Sequence, residues 1–394
     1  MSEEGRVRDK ARALGFDVVG FARADVPLGE DHARYQAFLD GGLHGTMQYL
    51  AENAEVRRRV DTNDILPGAK TIVCLARRYR RDAASEAADP ALAKRVARYA
   101  RGHDYHNVVR RKLRRLAAFL RTLGTDDQPV RARPMCDDVP VLERAWAARA
   151  GLGFIGKNGL LIVPGEGSFV LLGEIVTTLE LPPGTPMTER CGTCTRCLDA
   201  CPTRAFAAPG VVDARRCISY QTIENRGVIP RELRAGIGDH IYGCDVCLEV
   251  CPWNRFAQAG RRVLLQVRGG IAALTLREIL ELTPGRFAEV FRGTAVKRLK
   301  LAGLLRNACV VAGNQEPGRG GQESGARSQE PGAGGRSTEE LLGPLLRLAL
   351  HPLPVVRAHA VWAVFRLGGG DRLAAARAAE TDPAVLAEYA AGND

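Results

Sequence analysis

Long hydrophobic runs are missing from this sequence. No stretch of about 18 or more consecutive apolar residues occurs, so no transmembrane helix is expected. Residues 1–17 are charged and lack the apolar block of a signal peptide. These absences predict a cytoplasmic protein without a membrane partner. Because cysteines are kept reduced in that compartment, closely spaced cysteines favour metal ligation over disulfides.

Two common phosphate-binding motifs are also missing. No Gly-x-Gly-x-x-Gly follows a predicted strand, and no Gly-x4-Gly-Lys-Ser/Thr occurs, so neither a dinucleotide site nor a phosphate loop is predicted. Basic residues, by contrast, are in excess: 56 Lys and Arg against 45 Asp and Glu give a formal net charge of +11. That excess favours a polyanionic partner such as nucleic acid, although composition alone does not identify one.

The 394 residues divide into three segments of different character, and together they predict an α+β fold class. Residues 1–184 alternate helix-like and strand-like patterns, which predicts an α/β or α+β domain. Residues 185–258 hold eight of the eleven cysteines. Residues 259–394 are dominated by helical patterns, and two Pro-initiated stretches at 351–357 and 381–386 recur at an interval of about 30 residues, which resembles HEAT-type repeats. Within this segment, residues 314–338 are rich in Gly, Gln, Ser and Glu, which predicts a disordered insertion.

Hydrophobic periodicity predicts the main elements. Helices are expected over 6–14, 110–123, 140–150, 296–311 and 355–367, and strands over 17–21, 71–75, 160–163 and 169–179. The 110–123 helix is strongly basic, with Leu113, Leu116, Ala117 and Leu120 on one face. We interpret its basic face as a solvated surface rather than as a nucleic-acid contact.

Two cysteine runs carry the strongest chemical signal. The first is Cys191-x2-Cys194-x2-Cys197-x3-Cys201-Pro, the run found in bacterial ferredoxins. The second, Cys244-x2-Cys247-x3-Cys251-Pro, is the same run without its first cysteine, which the preceding Cys217 can supply. Three cysteines two residues apart can wrap three corners of a cubane cluster, and the fourth reaches the other cluster.

This spacing predicts two 4Fe–4S clusters with four thiolates each. The first set is Cys191, Cys194, Cys197 and Cys251, and the second set is Cys201, Cys217, Cys244 and Cys247. The alternative is a pair of structural zinc sites, which the three-cysteine runs and Cys-Pro endings disfavour. Two linked clusters indicate electron transfer.

The segment 137–158 is the second informative stretch. Asp137 and Asp138 precede a predicted helix, and a Gly-rich loop with Lys157 follows it. One interpretation is a catalytic carboxylic acid beside a cofactor that lies against Gly backbone. The other is a helix that is capped by Asp138 and ended by Gly151.

Several long motifs, taken together, resemble one known family. They are Gly-Thr-Met-Gln-Tyr-Leu at 45–50, Leu-Pro-Gly-Ala-Lys at 66–70, Arg-Tyr-Ala-Arg-Gly-His-Asp-Tyr-His at 98–106, the 137–158 segment, Gly-Ser at 167–168, Gly-Glu at 173–174, the cysteine runs, 217–224, Lys-Arg at 297–298 and Arg-Asn-Ala at 306–308. Over nearly the whole chain they resemble the epoxyqueuosine reductases of tRNA modification. The 314–338 insertion is the main departure, and it affects the register of the C-terminal helices.

The resemblance implies a cobalamin cofactor beside the first cluster, and a tRNA substrate whose epoxyqueuosine, at the wobble position, is reduced to queuosine. It implies a monomer that receives electrons from an external donor. Asp137 matches the proton donor of the family, whereas Asp138 stands where the family has Ser or Thr. The corrinoid contacts implied by matched position are Asp137, Leu161, Ser219 and Asp245. The candidate phosphate contacts are Arg226, Lys297, Arg298 and Lys300.

Two other functions share parts of this signature. A corrinoid reductive dehalogenase would use the same cofactors, but such proteins usually carry an export signal. A ferredoxin-type electron carrier would need the clusters alone, without cobalamin.

Overall fold

The structure is a computed structural model that describes residues 2–256, 271, 274–315 and 339–392. The described residues form two compact units. The first holds residues 2–88, 98–217 and 245–256, and the second holds 89–97, 218–244, 271, 274–315 and 339–392. Most of the predicted insertion, from residue 316 to 338, lies outside the described residues, as does the predicted boundary at 258/259. The three-domain division stays a prediction.

A four-stranded antiparallel sheet organises the first unit. Its strands are β1 (Val18–Arg23), β2 (Thr71–Arg78), β3 (Ala132–Met135) and β6 (Val170–Thr177), in the order β1-β2-β6-β3. Two small ribbons pair β4 (Phe154–Ile155) with β5 (Leu161–Ile162), and β7 (Phe206–Ala208) with β8 (Val211–Val212). Mixed helix and strand in this unit confirms the predicted α+β class at the level of secondary structure.

Helices cover both faces of the sheet. The helices Glu3–Ala13 and Tyr105–Arg121 share one apolar cluster with Phe21, Val73 and Ile175. The helix Glu143–Arg149 packs on the opposite face, where Trp146 contacts a second cluster. The apolar face predicted for the basic helix is confirmed, because Leu113, Leu116, Ala117 and Leu120 are all fully buried. The remaining α-helices of this unit are Gly29–Asp40, Gln48–Ala51, Ala83–Ala87, Arg196–Asp199 and Val246–Glu249.

The second unit is helical. Its α-helices are Ala91–Lys94, Ile218–Ile223, Arg231–Ile237, Leu276–Leu280, Pro284–Val290, Lys300–Gly313, Glu339–Leu348, Pro354–Arg366, Ala374–Ala378 and Pro383–Ala391. Pro354–Arg366 lies at its centre and packs against Lys300–Gly313, Glu339–Leu348 and Pro383–Ala391. The two predicted Pro-initiated helices are confirmed, each with Pro at the first helical turn. In neither unit does a described helix reach the length and hydropathy that crossing a bilayer requires.

Two of the differences from the sequence prediction have a clear cause in the backbone. The single helix expected over 296–311 is a 3-10 turn, Ala295–Leu299, followed by the helix Lys300–Gly313. The break lies at Lys300, whose φ of 59° and ψ of 166° are incompatible with a helix that continues through it. The strand β3 was not predicted. It contains Pro134, and Pro is tolerated in a sheet only at an edge such as this one.

Candidate active site and iron–sulfur site

Four cysteines line one cavity in the first unit. They are the members of the first predicted set, Cys191, Cys194, Cys197 and Cys251, and they lie together with Lys157, Asn158, Ile162, Pro252 and Trp253. The cavity has a volume of about 170 Å³. A single water needs about 10–15 Å³ by this kind of measure, so the space suits a larger group. In the described part of the chain, no group of three or more ligating side chains is close enough to bind a single metal ion. A cubane cluster does not need such a group, because each of its four thiolates binds a different iron.

Lys157 contacts the first cysteine of this set and the residue that follows it. The backbone N–H of Lys157 donates to Cys191 Sγ at 3.4 Å, and the Lys157 ammonium donates to the Gly192 carbonyl at 2.5 Å. Burial, and then the Glu189 side chain, raise the pKa of Cys191 to about 12, so its free thiol is neutral. Metal ligation requires loss of that proton, as iron binding to a thiol normally brings about. The donor set therefore fits a 4Fe–4S cluster.

The four cysteines of the second predicted set belong to different units. Cys201, Cys217 and Cys247 belong to the first unit, and Cys244 belongs to the second. Cys201 Sγ accepts the Ala205 N–H at 3.3 Å, and Cys244 Sγ lies 3.8 Å from His240 Nε2. Their joint ligation of a second cluster stays a prediction.

Asp137 is held by two side chains from the start of the basic helix. Its Oδ2 accepts the Tyr105 hydroxyl at 2.8 Å and lies 3.1 Å from His106 Nε2. The other ring nitrogen of His106 lies 2.7 Å from Asp104 Oδ1. The helix begins here because Asp104 caps it, accepting the His106 backbone N–H. The cap thus places Tyr105 and His106 on the turn that faces Asp137.

The protonation state of this group follows from its hydrogen bonds. Burial alone would lower the pKa of His106, but the bonds to Asp104 and Asp137 outweigh burial and raise the pKa to about 9. His106 is therefore an imidazolium at neutral pH, and it holds a proton 3.1 Å from Asp137 Oδ2. Burial and the neighbouring Asp137 raise the pKa of Tyr105, which keeps its hydroxyl a donor.

The backbone of Asp137 is fixed from the other side. Asp137 adopts a φ of 55°, in the left-handed region, and its N–H donates to Glu143 Oε1 at 2.7 Å. Asp138 does not cap the following helix: its Oδ1 accepts the Cys136 N–H, and its Oδ2 pairs with Arg110 at 3.0 Å. Gly151, with a φ of 77°, does follow the end of that helix, as the sequence indicates.

The residues matched to corrinoid contacts occupy different settings. Leu161 is buried on β5, and Asp245 is buried with its carboxylate accepting the Arg98 N–H at 2.8 Å. Ser219 lies on the helix Ile218–Ile223 of the second unit. Beside the cysteine cavity, Asn158 is buried and its amide Nδ2 has no hydrogen-bond partner among the described residues. An orphaned donor of this kind fits a polar ligand such as cobalamin.

The four candidate phosphate contacts lie in the second unit and are all exposed. Arg226 donates to the Leu299 carbonyl at 3.4 Å, which brings it beside the 297–300 segment. Arg298 pairs with Glu224 at 2.8 Å, so part of its charge is already neutralised. The structure thus gathers Arg226, Lys297, Arg298 and Lys300 on one surface.

Sequence reasoning assigned no role to Tyr105, His106, Glu143 or Glu174. All four lie within the motifs that carry the family resemblance. Their positions were visible, but their grouping around Asp137 depends on tertiary contacts.

Two family models match different parts of the chain, and known proteins match most of its length. Residues 190–254 match the family model "4Fe-4S double cluster binding domain", and residues 59–138 match "Epoxyqueuosine reductase QueG, DUF1730". An epoxyqueuosine reductase of Xanthomonas campestris is 41% identical over 312 residues, covering 78% of this chain and 86% of that protein. One of Pseudomonas aeruginosa is 38% identical over 366 residues, covering 92% of this chain and 94% of that protein.

Solved structures give the same result. A crystal structure of an epoxyqueuosine reductase with an epoxyqueuosine-modified tRNA-Tyr stem loop is similar with a TM-score of 0.82 and 29% identity, covering 99% of this chain and 97% of that one. The Bacillus subtilis epoxyqueuosine reductase, with its catalytic aspartate loop swung out of the active site, gives a TM-score of 0.83 at 29% identity and the same coverage. The chain therefore belongs to the epoxyqueuosine reductase family.

Proposed function

We propose that this chain reduces epoxyqueuosine to queuosine at the wobble position of tRNA anticodons, the last step of queuosine biosynthesis. The observation that carries the proposal is the similarity, over nearly the full length, to a structure that contains an epoxyqueuosine-modified tRNA stem loop. The hydrogen-bonded group around Asp137 adds a chemical reason. The enzyme would act as a monomer in the cytoplasm, where its tRNA substrate is found, and would take electrons from an external donor.

The cofactors would be two 4Fe–4S clusters and cobalamin. Cys191, Cys194, Cys197 and Cys251 would hold the first cluster, and Cys201, Cys217, Cys244 and Cys247 the second. Asp137, Leu161, Ser219 and Asp245 would contact the corrinoid. When bound, these groups supply the two electrons that the reduction requires.

The protein residues supply and direct the protons. Removing an epoxide oxygen as water, which leaves a carbon–carbon double bond, consumes two electrons and two protons. Asp137 would deliver the first proton to the epoxide oxygen as a C–O bond breaks, and that proton would come from the His106 imidazolium through Asp137 Oδ2. Asp104 would keep the imidazole in the orientation for this transfer. Loss of the resulting hydroxyl as water takes the second proton.

The substrate would be positioned by charge. Arg226, Lys297, Arg298 and Lys300 present cations on one exposed surface of the second unit. Contacts of this type fix the register of an RNA through its phosphates. The wobble base must leave the stack to meet a buried cofactor, as bases do in other enzymes that modify them.

The deciding experiment incubates the reduced, cobalamin-loaded protein with tRNA that carries epoxyqueuosine, followed by nucleoside analysis for queuosine. Asp137→Asn should lose turnover by a factor of about 100 or more, since general-acid catalysis typically contributes 10²–10⁴. Asp138→Asn is the matched control and should stay within a few-fold of the unaltered protein. If tRNA incubated with the loaded protein contained no queuosine, the proposal would be contradicted. Unchanged turnover in Asp137→Asn would remove Asp137 from the mechanism.

A further inference from the structure

Glu174 is a fully buried carboxyl group in the middle of the four-stranded sheet. It lies on β6, and its register neighbours are Cys74 on β2 and Met135 on β3. No donor among the described residues reaches either of its side-chain oxygens. An ionised carboxylate in such surroundings loses its hydration without compensation. Burial first, and then the nearby Glu143 carboxyl, raise the pKa of Glu174 well above its ordinary value.

Glu143 is the first residue of the helix Glu143–Arg149. This helix packs on the sheet face that holds Cys74 and Met135, the register neighbours of Glu174. Burial first, and then Asp137, raise the pKa of Glu143 to about 7, against the opposing hydrogen bonds from the Asp137 peptide and from Glu174. Two carboxyl groups in contact keep a proton between them. A protonated Glu174 that donates to Glu143 gives both groups a partner, and it leaves Glu143 Oε1 to accept the Asp137 N–H at 2.7 Å.

This hydrogen bond acts on a strained residue. With a φ of 55°, Asp137 lies in a region that residues other than Gly seldom occupy, although Asp tolerates it better than most. Such a conformation persists only where its surroundings fix it. Glu143 holds the peptide, and Tyr105 and His106 hold the side chain, so three contacts from two helices define where the proton donor points.

We propose that Glu143 and Glu174 are positioning residues: this carboxyl pair holds the Asp137 peptide, and with it the proton-donating loop, in its working conformation. The inference rests on the proposed function in that Asp137 is the proton donor. It goes beyond that function because the pair acts through the backbone of Asp137 and not on the reacting atoms.

The pair makes this positioning dependent on pH. As the pH rises through about 7, it loses one of its two protons, and Glu143 becomes a carboxylate. Hydrogen bonds to an ionised acceptor are roughly twice as strong as neutral ones, so the Asp137 N–H is held more firmly above that pH. The titratable groups that face the pair come from every element around it: Cys74, Cys136, Asp137, Asp138, Arg144 and Tyr105.

Hydrogen exchange of the Asp137 amide in the reconstituted holoprotein tests the inference directly. Its protection, corrected for the intrinsic exchange rate, should rise by about tenfold between pH 6 and pH 8. Glu143→Gln keeps an acceptor oxygen but cannot ionise, so protection should remain while the pH step disappears. Glu143→Leu removes the acceptor and should abolish protection at both pH values. Glu174→Gln supplies a permanent donor and should retain the pH step.

Activity gives the second readout. Glu143→Leu should lower kcat about tenfold with KM for tRNA unchanged, and Glu143→Gln should recover most of that loss. Glu180→Gln, the same change at an exposed carboxylate of the first unit, should match the unaltered protein in both assays. An Asp137 amide that stays protected in Glu143→Leu, or a pH step that survives in Glu143→Gln, would overturn the inference. Because amide exchange needs no substrate, a protein that lacks reductase activity would contradict the proposed function alone.

Discussion

Arg306 offers the sharpest test of how the second unit is held together. Its guanidinium is buried and donates to the backbone carbonyls of Gln221 at 2.8 Å, Asn225 at 2.6 Å and Gly227 at 3.0 Å. Two further bonds, at 2.9 and 3.0 Å, reach the side-chain oxygen of Asn307. Burial, and then the nearby Arg226, lower the pKa of Arg306 to about 10, which still leaves it charged at neutral pH.

The change Arg306→Lys retains a cation but removes the planar fork. A single ammonium group cannot span three carbonyls that diverge from the guanidinium, so at least one or two buried carbonyls lose their donor. Each buried acceptor left unsatisfied costs about 1–3 kcal/mol, and we expect a total loss of about 3 kcal/mol. At about 2–4 °C per kcal/mol for a unit of this size, Tm should fall by about 6–12 °C.

Urea titrations and thermal melts measure this loss, with Arg286→Lys as the matched control. Arg286 is exposed and forms a surface pair with Glu289, so its replacement should change stability by no more than about 0.5 kcal/mol. Since Arg226 lies on the loop that Arg306 holds, Arg306→Lys should also weaken tRNA binding. An Arg306→Lys variant as stable as Arg286→Lys would refute the reasoning, because the five hydrogen bonds would then carry no net stability.

Three further predictions follow from the same geometry. Cys194→Ser should lower the iron content of anaerobically reconstituted protein from about eight to about four per chain, whereas Cys309→Ala should leave it unchanged; equal iron in both would rule out Cys194 as a ligand. Lys300→Gly should be more stable than Lys300→Ala by about 1 kcal/mol in urea titrations, because only Gly occupies a φ of 59° with a ψ of 166° without strain. Both variants should bind tRNA more weakly than the unaltered protein. Equal stability of the two variants would show that Lys300 is not strained. In Gly153→Ala the new Cβ would lie 2.0 Å from the Ile162 carbonyl oxygen, whereas in Gly29→Ala nothing lies within 4 Å of it. The Tm of Gly153→Ala should therefore be lower than the Tm of Gly29→Ala. Equal Tm values would contradict that close approach.

Periodicity alone located much of the fold. The helices expected over 6–14 and 355–367 are observed as Glu3–Ala13 and Pro354–Arg366, and the strand expected over 169–179 as Val170–Thr177. Pattern reasoning failed at β3, where Pro134 hides an edge strand, and at Lys300, where the backbone breaks a continuous apolar pattern. The strand β3 forms through its pairing with β6, and single-sequence patterns carry no information about such contacts.

The sequence by itself predicted which thiolates can share a cluster, because the short spacing within a run brings three sulfurs together and the ferredoxin pattern assigns the last cysteine of each run to the other cluster. Cysteine spacing grouped Cys191, Cys194 and Cys197 with the distant Cys251, and the same four line one cavity in the structure. Only the tertiary structure decided the roles of Glu143, Glu174 and Arg306. Each looks like an ordinary surface charge in the sequence. In the structure Glu174 and Arg306 are buried, Glu143 is half-buried, and each lies against a partner at least 31 residues away. Their pKa values and hydrogen bonds depend on what surrounds them, and that environment exists only after the strands and helices have packed.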